Sequence, residues 1–488
     1  MSLSNPLRSM RAENPRTGPA MLWSLAGSLG DGGIRFVSNL ILTRLLFPEI
    51  FGLMASAMTV LTLLQIFSDT GTSTALIQNP KGNRREYIDT AFIIRLARNA
   101  LLLLLITASA RPVAAFYGSS QLIPMLHIMS LSLIFEAFLN PALPLMIRDL
   151  RIQRQVLYSL GSQLAAFLFG LIPVMLFRSA ESLAFTYVLS SVFRLIFSYF
   201  VVSYRPALRW DREAGRVLFD FGRFILLNTA LTWAVVNLDR VLLARMVGME
   251  AAGLYHIAIY LGTFIPALFV KVFSQSWFPV ISARSSDPQE LYKSYSAAVR
   301  SLILPVLPIL ILVALFSSSI VDLLYDSRYA AAGPILFWLA VRAVLDVVQY
   351  LQSGTVLAMG KPSYISAANA VGLLIAVLLM PPMTTLYGPA GTAAAGIFSS
   401  LAVSAVLSGF MIRSLAFRPR LIALPWLYTL TAALLFTAVY SLSSSALPGS
   451  TLSSLLHFAA VALVGSALLL LLRLSLIRFI SNRKEFSL

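Results

Sequence analysis

A chain of 488 residues in which 58% are apolar and only 12% charged departs far from the roughly 25% charged composition of soluble domains. It is too large and too apolar to close one soluble core, so the class is a polytopic membrane protein. The formal charge of +17 does not imply nucleic acid, because most basic residues fall in short links between apolar segments, where they set orientation.

Windows of about 20 apolar residues give about fourteen predicted helices. In chain order they lie near 21–46, 51–77, 88–110, 122–146, 157–177, 182–203, 222–247, 251–280, 296–317, 333–358, 364–386, 389–412, 421–444 and 453–473. The first is too long for the core of a cleavable leader, about 7–15 residues, and it carries Asp31 and Arg35. Residues 1–20, with Arg8, Arg11 and Arg16, read as a cytoplasmic N-terminus. Links taken alternately from the inside place Lys81/Arg84/Arg85, Arg148/Arg151/Arg154, Arg205/Arg209/Arg212/Arg216, Arg284/Lys293, Lys361 and Arg413/Arg418/Arg420 on one side. The opposite links hold only Arg111, Arg178 and Arg328. The positive-inside rule then makes both termini cytoplasmic, including the basic tail 474–488.

The two halves repeat. Leu42-x-Arg44, Glu49, Gly52-Leu53 and Ala57 recur as Leu243-x-Arg245, Glu250, Gly253-Leu254 and Ala258, at a shift of about 201 residues. Pro124, Leu126 and Glu136 are echoed by Pro334, Leu336 and Asp346, at a shift of about 210. An even number of spans separates the copies, so both face the same way, as parallel repeats with the substrate path between them. The expected organisation is a six-helix lobe at 21–203, a cytoplasmic linker at 204–221, a second six-helix lobe at 222–412, and two further helices within 421–473.

Charges recur inside the apolar spans, where each guanidinium costs roughly 2.5–3.5 kcal/mol on insertion scales. Asp31 and Arg35 stand at i,i+4 on span one, in the order that favours a helical pair; they line an interior or merely neutralise each other. Thr59, Thr62, Gln65, Asp69 and Thr72 make a polar stripe on span two, which must face protein or water. Span three holds Arg95, close enough to one surface to snorkel, and the deeper Arg98. Glu136 lies on span four and Arg194 on span six. Asp239 and Arg240 follow each other on span seven, about 100° apart, Lys271 lies on span eight, and Arg342 and Asp346 share a face of span ten. Basic side chains (Arg35, Arg98, Arg194, Arg240, Lys271, Arg342) outnumber the acids Asp31, Asp69, Glu136, Asp239 and Asp346. A shared cationic cavity is the reading that accounts for them, and the planar guanidinium fork suits phosphate. The acids are candidates for coupling to H+ or Na+.

The stretch Arg35-Phe-Val-Ser-Asn-Leu-Ile-Leu-Thr-Arg-Leu-Leu-Phe-Pro-Glu-Ile-Phe-Gly-Leu-Met54, followed by Asp69-Thr-Gly71 and Ala75-Leu-Ile-Gln78, resembles the start of bacterial polysaccharide-transport proteins. These form the oligosaccharide-flippase branch of the multidrug/oligosaccharidyl-lipid/polysaccharide exporter superfamily. The resemblance implies an all-α transporter of paired six-helix lobes. It also implies translocation of an undecaprenyl-diphosphate-linked oligosaccharide across the bacterial inner membrane by alternating access, for exopolysaccharide, capsule or O-antigen assembly. Membrane lipids, a polysaccharide polymerase and glycosyltransferases would be its partners, and no nucleic acid. Neither an enzymatic reaction nor a cofactor is expected, since there is no cysteine, the three histidines are scattered, and no metal-ligand cluster or large extramembrane sugar-nucleotide domain is apparent. The membrane potential is a further source of drive. The alternatives are a peptidoglycan lipid-precursor flippase, also cationic, and a multidrug exporter of the same superfamily, which would favour an acidic cavity. Gly82-Asn-Arg-Arg85 invites a major-facilitator reading, weakened by its missing acidic member and by the span count.

Overall fold

The computed structural model describes residues 17–68, 71–149, 151–415, 419–444 and Val461. Asp69, the segments 1–16 and 474–488, and the last expected span apart from Val461 lie outside these residues. Every regular element among the described residues is helical. Among the described residues, eight helices are long and apolar enough to cross a membrane by length and composition. The chain divides into two compact units, Met1–Trp233 with Gly248–Gly253, and Ala234–Val247 with Leu254–Leu488.

The first unit is built from α1 (Thr17–Leu45), α2 (Pro48–Phe67), the short α3 (Thr72–Gln78), α4 (Arg85–Tyr117), α5 (Leu122–Ala137), the short α6 (Leu143–Arg148), α7 (Ile152–Phe177) and α8 (Ala180–Val201). The helix ends follow local chemistry. Pro48 opens α2, where its missing N–H costs nothing. Gly118 ends α4 at φ 70°, the left-handed position that glycine adopts without strain. Ser179 and Ser182 form a reciprocal capping box at the start of α8, satisfying donors the first turn would otherwise orphan. Within the unit α1 packs on α7, and α8 packs on α5 and α7.

Beyond α8 the chain runs without regular secondary structure to residue 211 before α9 (Arg212–Met246) begins. This segment is strapped to the first unit. Buried Asp89, on the first turn of α4, accepts from the Tyr204 hydroxyl at 2.6 Å and the Ala207 amide at 3.0 Å. Thr90 Oγ1 accepts from the Asp211 amide at 3.0 Å, and the Asn140 amide group donates to the Val202 and Tyr204 carbonyls. Burial, and then the bond to Asp89, hold the Tyr204 phenol above its ordinary pKa, so it remains a donor at neutral pH.

Residues 248–253, which include the first turn of α10 (Met249–Val272), pack in the first unit against α2. A Cβ on Gly52 would stand 1.8 Å from the Met249 carbonyl oxygen, and one on Gly253 would stand 1.8 Å from that of Pro48. Pro48 and Gly52 are the partners of Met249 and Gly253 in the 201-residue repeat, so the contact is isologous: each copy offers the other the same atoms.

In the second unit α10 runs through a π segment, Phe273–Trp277, into α11 (Phe278–Ala283). Asp287 caps α12 (Pro288–Ala298) through the Gln289 amide at 2.8 Å. A second π segment, Val299–Ile303, leads into α13 (Leu304–Leu315). Then follow α14 (Ser317–Leu324), α15 (Ala332–Ala358), α16 (Pro362–Leu415) and α17 (Pro419–Ser444). Two of the expected spans make up α16, joined at Gly388, whose φ of 59° and ψ of −142° break the helix beside Pro389. The core of this unit gathers Phe269, Phe273, Tyr295, Leu307, Val347 and Leu351. The Phe273 ring lies so close to Gly354 that an added Cβ there would meet it at 2.5 Å, so that glycine lets the π segment pack on α15.

Candidate functional site

The intramembrane charges gather into two clusters, one in each unit. In the first, α4, α5 and α8 bring Arg95, Arg98, Glu136 and Arg194 together, and all three guanidiniums act on the one carboxylate. Arg194 Nη1 stands 4.0 Å from Glu136 Oε1, with about half of the arginine side chain exposed (49%). Gln65, on the polar stripe of α2, donates to Glu136 Oε2 at 3.2 Å. Arg98 turns to the frayed end of the same stripe. Its Nη2 donates to the Gln65 carbonyl at 2.6 Å and its Nε to Ser68 Oγ at 2.9 Å. Arg95 Nη2 donates to the Leu139 carbonyl at 2.5 Å, in the break between α5 and α6. Both arginines thus satisfy carbonyls that the helix ends leave open, where a cation also complements the helix dipole. Three guanidiniums thus gather about one carboxylate.

The second cluster joins α9, α10, α15 and α16. Asp239, its side chain 4% exposed, receives Arg342 Nη1 at 3.3 Å, the Tyr255 hydroxyl at 2.8 Å and the Arg240 amide at 2.8 Å. Arg342 Nε lies 3.6 Å from Asp346 on the next turn, and Ser400 Oγ donates to Asp346 at 2.7 Å. Arg240 reaches Asn237 Oδ1 at 3.3 Å rather than its neighbour's carboxylate. Two guanidiniums and two carboxylates balance here. The contact continues along α15 and α16 as a polar ladder. Gly396 leaves room for the Arg342 guanidinium, Ser400 meets Asp346, and Ser404 and Ser408 bracket Gln352 at 2.9 Å each. The four α16 positions recur every fourth residue, one face of a helix.

The other expected site residues stand apart from both clusters. Arg35 pairs with Asp31 on α1, with 60% of its side chain exposed. Lys271 closes the last turn of α10, about 24 Å along the helix from Tyr255 at 1.5 Å per residue. No group of acids and histidines able to hold a metal ion occurs among the described residues. Sequence reasoning missed Tyr255 and Ser400 as partners of the acids. Tyr255 directly precedes His256 on α10, and Ser400 belongs to the four-residue spacing on α16. It also missed Asp89 and Thr90, whose signal is a carboxylate buried at a helix start beside the linker.

The model for the family "Polysaccharide biosynthesis protein" matches residues 41–334. The chain belongs to this family. It is 25% identical over 308 residues to the teichuronic acid biosynthesis protein TuaB of Bacillus subtilis, covering 61% of this chain and 62% of that one. To the succinoglycan biosynthesis transport protein ExoT of Rhizobium meliloti it is 23% identical, covering 65% and 64%. The chain therefore spans somewhat under two thirds of the length of either relative. Among solved structures, the lipid II flippase MurJ in an inward closed conformation superimposes with a TM-score of 0.73 at 12% identity, over 92% of this chain and 98% of that one. An inward-facing multidrug resistance transporter of the MATE family gives 0.63 at 16% identity, over 80% and 94%. The fold is that of a multi-pass membrane transporter.

Proposed function

We propose that this protein is a flippase that moves an undecaprenyl-diphosphate-linked oligosaccharide repeat unit across the bacterial inner membrane, for exopolysaccharide, capsule or O-antigen assembly. The observation that carries this reading is the gathering of Arg95, Arg98 and Arg194 about Glu136, set inside apolar helices of a polysaccharide biosynthesis family member. Guanidiniums in hydrocarbon are expensive, and a diphosphate offers them bidentate acceptors. Arg194, half-exposed, with Glu136 at 4.0 Å and the Tyr158 hydroxyl beside it, is the group most ready to exchange its partners for phosphate. The remaining candidates are Arg35 and Lys271, together with Arg240 and Arg342, whose charge Asp239 and Asp346 balance in this structure. The sugars follow the diphosphate through the protein while the polyprenyl tail stays in lipid, and alternating access exposes the head group to each side in turn.

Both termini face the cytoplasm in this reading, so transport runs toward the positive side of the membrane. Each uncompensated negative charge gains about 2.3 kcal/mol per 100 mV. Any coupling to H+ or Na+ falls to Asp31, Asp69, Glu136, Asp239 or Asp346. Polymerase and glycosyltransferases act before and after it as separate proteins, and the chain itself catalyses no covalent step.

The test is export of the lipid-linked glycan in a deletion host carrying single alanine variants at Arg98 and Arg194, with membrane expression matched. Loss of exported glycan with intact viability is expected; undiminished export from both would sink the cationic-path reading. Loss of viability on deletion would instead favour transport of the peptidoglycan lipid precursor, the reading to which the MurJ fold likeness lends weight.

A further inference from the structure

Three links far apart in sequence meet at one end of the first unit. Arg148 donates to the Asn79 carbonyl at 2.9 Å and the Pro80 carbonyl at 3.2 Å, tying the end of α6 to the loop after α3. Lys81 in that loop reaches Glu213 on the first turn of α9 at 2.9 Å. The strap at 202–211 is pinned beneath them on Asp89, Thr90 and Asn140. Ala75, Leu76, Tyr87, Ala91, Ala214 and Leu218 form a small apolar core under the assembly. The result is a built platform rather than a set of loose loops.

Three acids of this platform are already engaged, while Glu86 on the first turn of α4 is exposed. Asp89 serves Tyr204 and Ala207, Asp211 accepts from the Ala214 amide at 2.7 Å, and Glu213 holds Lys81. The side chains of Arg205, Arg209, Arg212 and Arg216 are exposed, and among the described residues no ion pair or side-chain hydrogen bond engages them. The same short segment presents Leu208 at 76% and Trp210 at 58% exposure. The Trp210 ring is steadied on one side by Gly215, where an added Cβ would meet it at 2.7 Å. A site for a soluble phosphate has no use for an exposed leucine and an exposed indole. A bilayer interface uses both, since tryptophan favours headgroup depth and apolar side chains the acyl boundary.

We propose that this strapped, arginine-rich segment, residues 202–216, is a docking surface for anionic phospholipid headgroups of the leaflet on its side of the membrane. Arg205, Arg209, Arg212 and Arg216 meet the lipid phosphates while Leu208 and Trp210 insert beside them. The inference does not depend on the substrate proposed above, because it concerns bulk lipid rather than the transported head group.

The experiment uses the full chain in nanodiscs of phosphatidylcholine containing a minor fraction of spin-labelled phosphatidylglycerol or spin-labelled phosphatidylcholine. Wild type should prefer phosphatidylglycerol. The fourfold variant Arg205→Gln, Arg209→Gln, Arg212→Gln, Arg216→Gln should lose that preference by roughly fivefold or more, given the worth of each basic residue near an anionic surface. The matching fourfold lysine variant should keep most of it. A glutamine variant that retains the preference overturns the proposal. So does binding of inorganic pyrophosphate in lipid-free detergent that the glutamine substitutions abolish, which would assign the surface to free phosphate. A readout that leaves the charges in place is the fluorescence lost in Trp210→Phe. That difference signal should be quenched by lipids brominated near the headgroup, and a signal untouched by them would place the segment in water and refute the docking.

Discussion

The two charge clusters use similar residues to opposite ends. In the first unit Arg95, Arg98 and Arg194 crowd one glutamate, and Arg194 remains half-exposed. In the second, Asp239, Arg342 and Asp346 alternate in sign, with Asp239 almost wholly buried. Balanced charges in a low dielectric hold elements together, whereas unbalanced ones near an opening invite a counter-ion. The difference teaches that an intramembrane arginine has no single meaning: its neighbours decide whether it is a rivet or a receptor.

The sharpest way to break this comparison is to remove Asp239. Asp239→Ala would strand Arg342 with one half-exposed partner, and breaking a buried pair typically costs about 3–5 kcal/mol. Thermal unfolding in detergent should show a large drop, while Asp239→Asn combined with Arg342→Gln recovers much of it. If Asp239→Ala is as stable as wild type, the second cluster is no rivet. Arg194→Ala should do the reverse. Its pair is long and exposed, so stability should move by about 1 kcal/mol or less, yet glycan export in cells should fall tenfold or more.

Arg98→Ala should fall between these cases. Losing its charge at the α2 terminus is worth about 1 kcal/mol, up to about 2 where partly buried, read by the same unfolding assay, with export reduced as well. Arg98→Lys restores the charge but not the two-pronged contact with Gln65 and Ser68, so it should recover stability only in part. The smallest effect is expected at Ser400→Ala, which removes one donor from Asp346 and should cost about 1 kcal/mol with export unchanged. An export defect there would blur the division between the two clusters.

Much of the architecture was legible in the sequence because a bilayer forces it: apolar stretches of spanning length can only be helices. The two expected spans on either side of Gly388 appear as one element because a single glycine suffices for the break. The π segments Phe273–Trp277 and Val299–Ile303 left no sequence signal, since one extra residue per turn changes no composition. The candidate residues were readable as a set, but their partners were not. Arg98 ends on a backbone carbonyl, which has no side-chain code. Arg342 finds Asp239 from 103 positions away, and only the packing of α15 beside α9 decides that. The repeat, by contrast, was visible as Gly52 and Gly253 long before their backbones were seen to touch.

That touching pair carries a consequence for how the chain can change. Each glycine is the space into which the other's helix settles, so a methyl group introduced at either position meets the same obstacle at the same separation. Tolerance at one is therefore a reading of tolerance at its twin.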